Sequence, residues 1–246
     1  MPNLMLLTAG SNVDFMIHYL FSYEIFGQTV YITTSHVCLL IVTLALIVFF
    51  IVGGQVFKHA EEIPGTFQNI LEIIVTFLDG IVNSTMGKNG KNFKNYIGVL
   101  FMFILFSNIS GLLGLRPPTA DYGVTLPLGI ITFSLIHIQQ FRYNKLWDIW
   151  KDMCSPLPPW LPIWMPINLI GEIAVPISLS LRLFANVLSG TVMMALVYGL
   201  LSKIAIGWPA VLHVYFDLFS GAIQTYVFCM LTMTYISNNM GNPDAE

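Results

Sequence analysis

Long apolar stretches separated by short polar segments dominate the hydropathy pattern of this chain. The first covers residues 30–53, and the second and third lie within 96–138. Two longer ones, at 168–202 and 208–238, close the chain. About 20 apolar residues are enough to cross a hydrocarbon core of about 30 Å. The pattern therefore predicts about five membrane-crossing helices.

Residues 57–95 follow a different pattern, in which apolar residues recur at helical spacing and polar residues occupy the opposite side. The apolar positions are Phe67, Ile70, Leu71, Ile74, Phe77, Leu78 and Ile81. This spacing predicts an amphipathic helix that lies on the membrane or packs against other helices. Lys88, Lys91 and Lys94 follow it and indicate a solvated basic loop.

The last two apolar stretches are longer than a perpendicular crossing requires. At 1.5 Å per residue they would reach about 52 Å and about 45 Å. Either both helices protrude well beyond the bilayer or both lie strongly tilted. We favour the tilted arrangement because both stay apolar almost throughout. Pro176 is expected to kink the first of them.

Composition supports a membrane protein of the all-α polytopic class. The chain has 246 residues, of which 56% are hydrophobic and only 9% charged. Soluble domains carry about 25% charged residues. This deficit excludes a soluble enzyme, a disordered chain and a coiled coil, and a net charge of −3 gives no nucleic-acid footprint. We expect residues 1–246 to form a single integral membrane domain.

The basic residues are distributed unevenly between alternate loops. Seven of the ten fall in two loops, one after the first span and one after the third. The positive-inside rule then places the N-terminal segment 1–29 outside, segment 57–95 inside and the C-terminus inside. Five crossings agree with termini on opposite sides of the membrane.

Three charged residues lie inside the two tilted helices. Arg182 is near the middle of its helix, where a cationic side chain costs roughly 2.5–3.5 kcal/mol on insertion scales. Glu172 lies ten residues earlier, toward the expected inside end, and Asp217 lies near the outside end of the last helix. Because guanidinium stays protonated, Arg182 is expected to be a fixed charge between two aqueous entrances.

Smaller polar groups accompany these charges. Asn186 follows Arg182 by one turn, and Gln224 follows Asp217 by two turns. His213 precedes Asp217 by four residues and is expected to hydrogen-bond it. No role is expected for the other four histidines.

Small residues beside Arg182 suggest a helix-packing surface. They are Ala185, Ser189 and Gly190, and small side chains allow a neighbouring membrane helix to approach closely.

Motifs for catalysis or cofactor binding are missing from the sequence. It contains no glycine-rich phosphate loop, no H-E-x-x-H and no G-x-S-x-G, and its three cysteines form no C-x-x-C pair. We therefore expect no catalytic residue, no metal site and no cofactor, which argues against a membrane-embedded enzyme. No internal repeat supports an inverted-repeat transporter.

Two segments of the tilted helices closely resemble the a subunit of F-type ATP synthases. They read PISLSLRLFANVLSG and DLFSGAIQTYVFCMLTMTYIS, and upstream stretches such as IPGTFQNILEIIVTFLDGIVNSTMG match as well. The resemblance covers about residues 60–238. Its most specific part is the Arg-Leu-Phe-Ala-Asn core combined with a glutamine in the next helix.

This resemblance implies roles for particular residues. The family's essential arginine falls on Arg182, its asparagine on Asn186 and its glutamine on Gln224. Asp217 takes the place of the acidic or histidine group in the outer half-channel, and Glu172 resembles the carboxylate near the inner one.

The chain departs from many bacterial relatives at Thr191, where they carry a carboxylate nine residues after the arginine. The departure leaves open which side chains line the outer entrance.

The resemblance implies that the two last helices form a tilted hairpin against a ring of c subunits. It also implies a function and partners. The expected function is a membrane stator that passes ions, most simply protons, through two offset half-channels to a ring of c subunits. Expected partners are that ring, b-type peripheral stalk subunits, the remainder of the synthase and membrane lipid, in a bacterial plasma membrane. The alternative is a stand-alone ion-coupled transporter or channel.

Overall fold

A computed structural model describes residues 19–25, 28–59, 65–113, 115–144, 165–200 and 208–240. Within these ranges the chain forms six long helices, three short 3₁₀ turns and one antiparallel strand pair, β1 (Tyr19–Ile25) and β2 (Gln28–Thr33). The long helices are α1 (Thr34–Lys58), α2 (Thr66–Met86), α3 (Lys94–Ile109), α4 (Tyr122–Tyr143), α5 (Met165–Leu200) and α6, which joins Trp208–His213, a π-helical segment Val214–Ser220 and Gly221–Asn239.

All six helices are long and apolar enough to cross a membrane. The prediction of an all-α polytopic membrane protein is therefore confirmed, with α2 as a sixth helix of crossing length beside the five expected spans. The strand pair was not predicted. It includes residues 30–33, which had been assigned to the first span, and the β-branched run Thr29-Val30 and Ile32-Thr33 favours extended backbone.

Helix α2 buries a mostly apolar face against the protein. Leu71, Val82 and Met86 are buried there together with Gln68, which donates to Glu72 Oε1 (2.8 Å). Ile70, Ile73 and Phe77 are exposed on the other side. Apolar side chains on both sides fit a helix that lies against lipid and packs on other helices.

The basic loop and the third span also differ from expectation. Lys94 begins α3 instead of lying in a loop, and its Nζ donates to Asp79 Oδ2 on α2 (2.8 Å). Helix α4 continues to Tyr143, beyond the expected end of the third span at residue 138, so that Gln139 and Arg142 are helical. Both sit on the last turns of a helix, where polar side chains at a membrane boundary are tolerated.

The buried core lies among α3, α4, α5 and α6. Its central side chains have no exposed area; they are Ile104, Leu183, Phe228, Met233 and Ile236. Most other large apolar side chains on the helices point outward, as a lipid-facing surface requires.

Helices α4 and α5 approach most closely at Gly129 and Pro176. A Cβ atom on Gly129 would lie 2.6 Å from the Pro176 carbonyl oxygen, so only glycine fits there. Helix α5 runs from Met165 to Leu200 as one helix through Pro176. Because proline has no N–H, the carbonyl of Glu172, four residues earlier, has no intrahelical donor.

Candidate functional site

Arg182 lies on the exposed side of α5, near the middle of the helix. Among the described residues its guanidinium has no hydrogen-bond or ion-pair partner. A permanently charged group in the middle of an apolar helix, facing outward, is costly in lipid alone. This arrangement fits a cation that meets an anionic group of another chain.

Ala185 and Ser189 lie on the same exposed side as Arg182. They follow it at intervals of three and seven residues, which places them along one helix face. Gly190 does not belong to that surface. It is buried, and a Cβ there would lie 3.6 Å from Cβ of Phe216 on α6. Gly190 therefore packs against α6, while Ala185 and Ser189 face outward, because one step along a helix turns the side chain by about 100°.

Asp217 lies in the π-helical segment of α6, beside the connection from α3 to α4. A Cβ on Gly111 would lie 3.2 Å from its Oδ2 and 3.2 Å from Cγ of Pro117. His213 Nδ1 lies 3.1 Å from the same Oδ2, so the expected contact of His213 with Asp217 is present in the structure. Such π-helical turns are frequent at functional sites because they displace side chains from the regular helix surface.

Asn186 faces α6. Ser220 Oγ donates to Asn186 Oδ1 (2.9 Å), which joins α5 to the π-helical segment. A narrow cleft beside this bond is lined by Asn108, Pro117, Asn186, Val187, Gly190, Phe216, Asp217 and Gly221. Asn186 and Asp217, two of the residues singled out in the sequence, therefore share one polar cleft.

Asn108 on α3 forms hydrogen bonds with two neighbouring segments at the edge of the cleft. Its Nδ2 donates to the Gly221 carbonyl (3.1 Å), and its Oδ1 accepts a hydrogen bond from Thr119 Oγ1 (2.9 Å). All three groups are buried. This network joins α3, the following connection and α6 next to Asp217.

Glu172 lies on α5 beside His137 of α4, with 3.6 Å between Oε2 and Nε2. His137 lies 15 residues after the start of α4 at Tyr122, or about 22 Å along it. Since Asp217 lies beside the connection that precedes α4, the two carboxylates are near opposite ends of that helix.

Gln224 is buried on α6, and its Nε2 has no partner among the described residues. Its expected alignment with Asp217 assumed a regular α-helix. A π-helical turn holds more residues, so the spacing between 217 and 224 does not by itself place both on one face.

Three further polar residues border the site: His137, Asn108 and Ser220. No role was expected for His137, and Asn108 and Ser220 carried no expectation. Each is a polar residue close to apolar ones within a long apolar stretch. That isolation was the available signal, since polar groups inside membrane helices commonly pair across helices.

The fold and site define a class of protein. Within the described residues, six helices of crossing length, with an exposed arginine between two separated carboxylates, are typical of an ion-translocating membrane subunit. A family model, the ATP synthase A chain, matches residues 36–237.

Individual relatives agree with the family match. The sodium ion specific ATP synthase subunit a of Propionigenium modestum is 35% identical over 205 residues, 77% of this chain and 68% of that protein. ATP synthase subunit a of Bacillus subtilis is 31% identical over 242 residues, 89% of this chain and 96% of that protein. ATP synthase subunit a of Priestia megaterium is 31% identical over 226 residues, 86% of this chain and 94% of that protein.

The chain therefore belongs to the ATP synthase A chain family. It is a multi-pass bacterial membrane protein and a non-catalytic, ion-translocating part of an F-type ATP synthase.

Proposed function

We propose that this chain is the stator that carries two offset half-channels, one at Asp217 and one at Glu172, on either side of Arg182. The observation that carries the proposal is the position of Arg182. It is exposed, has no partner among the described residues, and lies between two carboxylates near opposite ends of α4.

The outer path would run along the polar cleft. An ion enters beside Asp217, whose carboxylate is contacted by His213, and passes Asn186 to reach a carboxylate on the ring. Binding neutralises that carboxylate, so it can turn into lipid at low cost. After most of a revolution, the site releases its ion into the inner path at Glu172.

Arg182 would separate the two paths. It attracts each ionised ring carboxylate, and its fixed positive charge repels cations that would otherwise leak between the half-channels. Each elementary charge that crosses 100 mV supplies about 2.3 kcal/mol. The barrier ensures that this energy drives rotation.

The proposed partners follow from the surfaces of α5. The ring of c subunits would lie against the face of Arg182, Ala185 and Ser189, where small side chains permit close packing. Peripheral stalk subunits of b type, the rest of the synthase and lipid complete the surroundings. The proposed location is the bacterial plasma membrane, with the N-terminus outside and the C-terminus in the cytoplasm.

Protons are the proposed coupling ion, and sodium is the second candidate. The printed description of the Propionigenium modestum relative, sodium ion specific, is the observation that favours sodium. Comparing ATP-driven transport with and without Na⁺, in the presence of a protonophore, distinguishes them. Acidification that the protonophore abolishes indicates protons, whereas protonophore-resistant ²²Na⁺ uptake indicates sodium.

The test of the proposed function is Arg182→Ala in the complete complex, with Lys58→Ala as a control that removes an exposed positive charge at the end of α1. ATP-driven pumping into inverted vesicles should be lost with R182A and kept with K58A, while both complexes assemble and hydrolyse ATP. Unchanged pumping by assembled R182A would reject the stator mechanism. Purification of the chain without a ring or ATPase head would favour the stand-alone transporter.

A further inference from the structure

His137 of α4 lies against Glu172 of α5, although the two residues belong to different helices. The Nε2–Oε2 distance is 3.6 Å, just beyond hydrogen-bond range. The side chains of His137 and Glu172 are 26% and 32% exposed, so each is largely buried in the protein. A contact of this kind between an imidazole and a carboxylate is rare by chance inside apolar helices.

The other imidazole nitrogen is enclosed by the protein. Nδ1 is buried and has no hydrogen-bond partner among the described residues. Glu172 therefore meets the imidazole through Nε2, and an N–H on that atom would be directed at the carboxylate.

The ring is also held in place by packing. The centroid of the Phe133 ring lies 4.1 Å from that of His137, with 41° between the ring planes. Phe133 precedes His137 by one helical turn, so this contact fixes the imidazole on the side of α4 that meets α5.

We propose that His137 is a positioning residue for Glu172, directing an Nε2–H donor toward the carboxylate of the inner half-channel. The inference rests on the proposed function, because it assigns Glu172 to the path of the ion. A donor directed at a carboxylate from a ring held by packing restricts the orientations that the carboxylate adopts.

Two substitutions separate a donor role from a packing role. His137→Gln keeps an N–H donor near the position of Nε2, and His137→Phe keeps a flat ring but removes the donor. We expect ATP-driven pumping per ATP hydrolysed to stay within about twofold for H137Q and to fall about fivefold for H137F. The reverse order would overturn the proposal. If H137F does not assemble, His137→Met replaces it, because methionine adapts to irregular space and has no N–H.

A double-mutant cycle then asks whether His137 acts through Glu172. Glu172→Gln alone is expected to lower pumping, and adding H137F to E172Q should lower it no further. An equal additional loss in the E172Q background would show that His137 stabilises the fold independently and would overturn the proposal.

Failure of this inference and failure of the proposed function give different results. If E172Q pumps normally, both the role of Glu172 and the role of His137 are rejected. The stator mechanism itself then stands or falls with R182A, in which neither residue is changed.

Discussion

Ser220 on α6 donates a hydrogen bond to Asn186 on α5, with 2.9 Å between Oγ and Oδ1. The bond starts from the last residue of the π-helical segment and ends one turn beyond Arg182. It therefore couples the segment that carries Asp217 to the helix that carries the arginine. Polar bonds of this kind between membrane helices stabilise by about 0.6 kcal/mol on average.

Ser220→Ala should loosen that connection. The change removes the donor and leaves Oδ1 of the Asn186 side chain without this hydrogen bond, at a cost of about 1 kcal/mol. We expect a complex that assembles but pumps fewer ions per ATP hydrolysed, measured in inverted vesicles. Ser84→Ala is the control, because Ser84 is exposed and bonds only to the Ile81 carbonyl of its own helix. Equal pumping by the two variants would show that the bond has no functional role.

Gly129→Ala should destabilise the packing of α4 on α5. The added Cβ would lie 2.6 Å from a backbone carbonyl oxygen, which cannot rotate away, and overpacking costs about 1–3 kcal/mol. The matched control is Gly80→Ala, where the new methyl group meets no atom within 4 Å. The temperature at which the purified complex loses this subunit should fall for G129A and stay constant or rise for G80A. A drop of the same size in both would contradict the close approach.

Asn108→Leu should disturb the cleft without changing the volume of the side chain greatly. It leaves Thr119 Oγ1 without its acceptor, a loss of about 1–3 kcal/mol for a buried group left unsatisfied. It also removes one donor to the Gly221 carbonyl, which keeps its bond from Thr225 Oγ1 (2.7 Å). Pumping should fall more than complex yield, since the network borders Asp217. Thr119→Val removes one bond only and should have a smaller effect. Equal effects of N108L and T119V would show that the bond to Gly221 is unimportant.

Asp79→Asn should change little, although Asp79 pairs with Lys94 at 2.8 Å. The side chains are 44% and 26% exposed, and such partly exposed pairs contribute about 0–1 kcal/mol. We expect assembly and pumping close to those of the parent complex at high and low salt. Loss of assembly with D79N would mean that this pair lies in a drier environment than its exposure indicates.

The helices could be predicted from the sequence, whereas their mutual register could not. Runs of apolar residues fix where α1, α3 and α5 lie because the thickness of the bilayer sets their length. The strand pair before α1 is short and carries no comparable length signal. Hydropathy likewise gives no boundary for the last turns of α4, which contain Gln139 and Arg142.

The candidate site likewise has residues that the sequence predicts and a contact that depends on how the helices pack. Arg182, Glu172 and Asp217 stand out in the sequence because charge inside an apolar helix is expensive. The contact of His137 with Glu172 depends on how α4 sits on α5, and that position follows from the close approach of Gly129 to Pro176. No pattern within a single helix encodes such an approach.

The π-helical segment accommodates an extra residue within α6. About seven residues of a π-helix turn through roughly the same angle as six residues of an α-helix, so deleting one residue within 214–220 would restore a regular helix and leave Gly221–Asn239 close to its present orientation. The deep side chains of Gly221–Asn239, such as Phe228 and Ile236, would then stay in the core. A chain shortened in this way would lose only the displacement of the side chains within the segment, Asp217 among them.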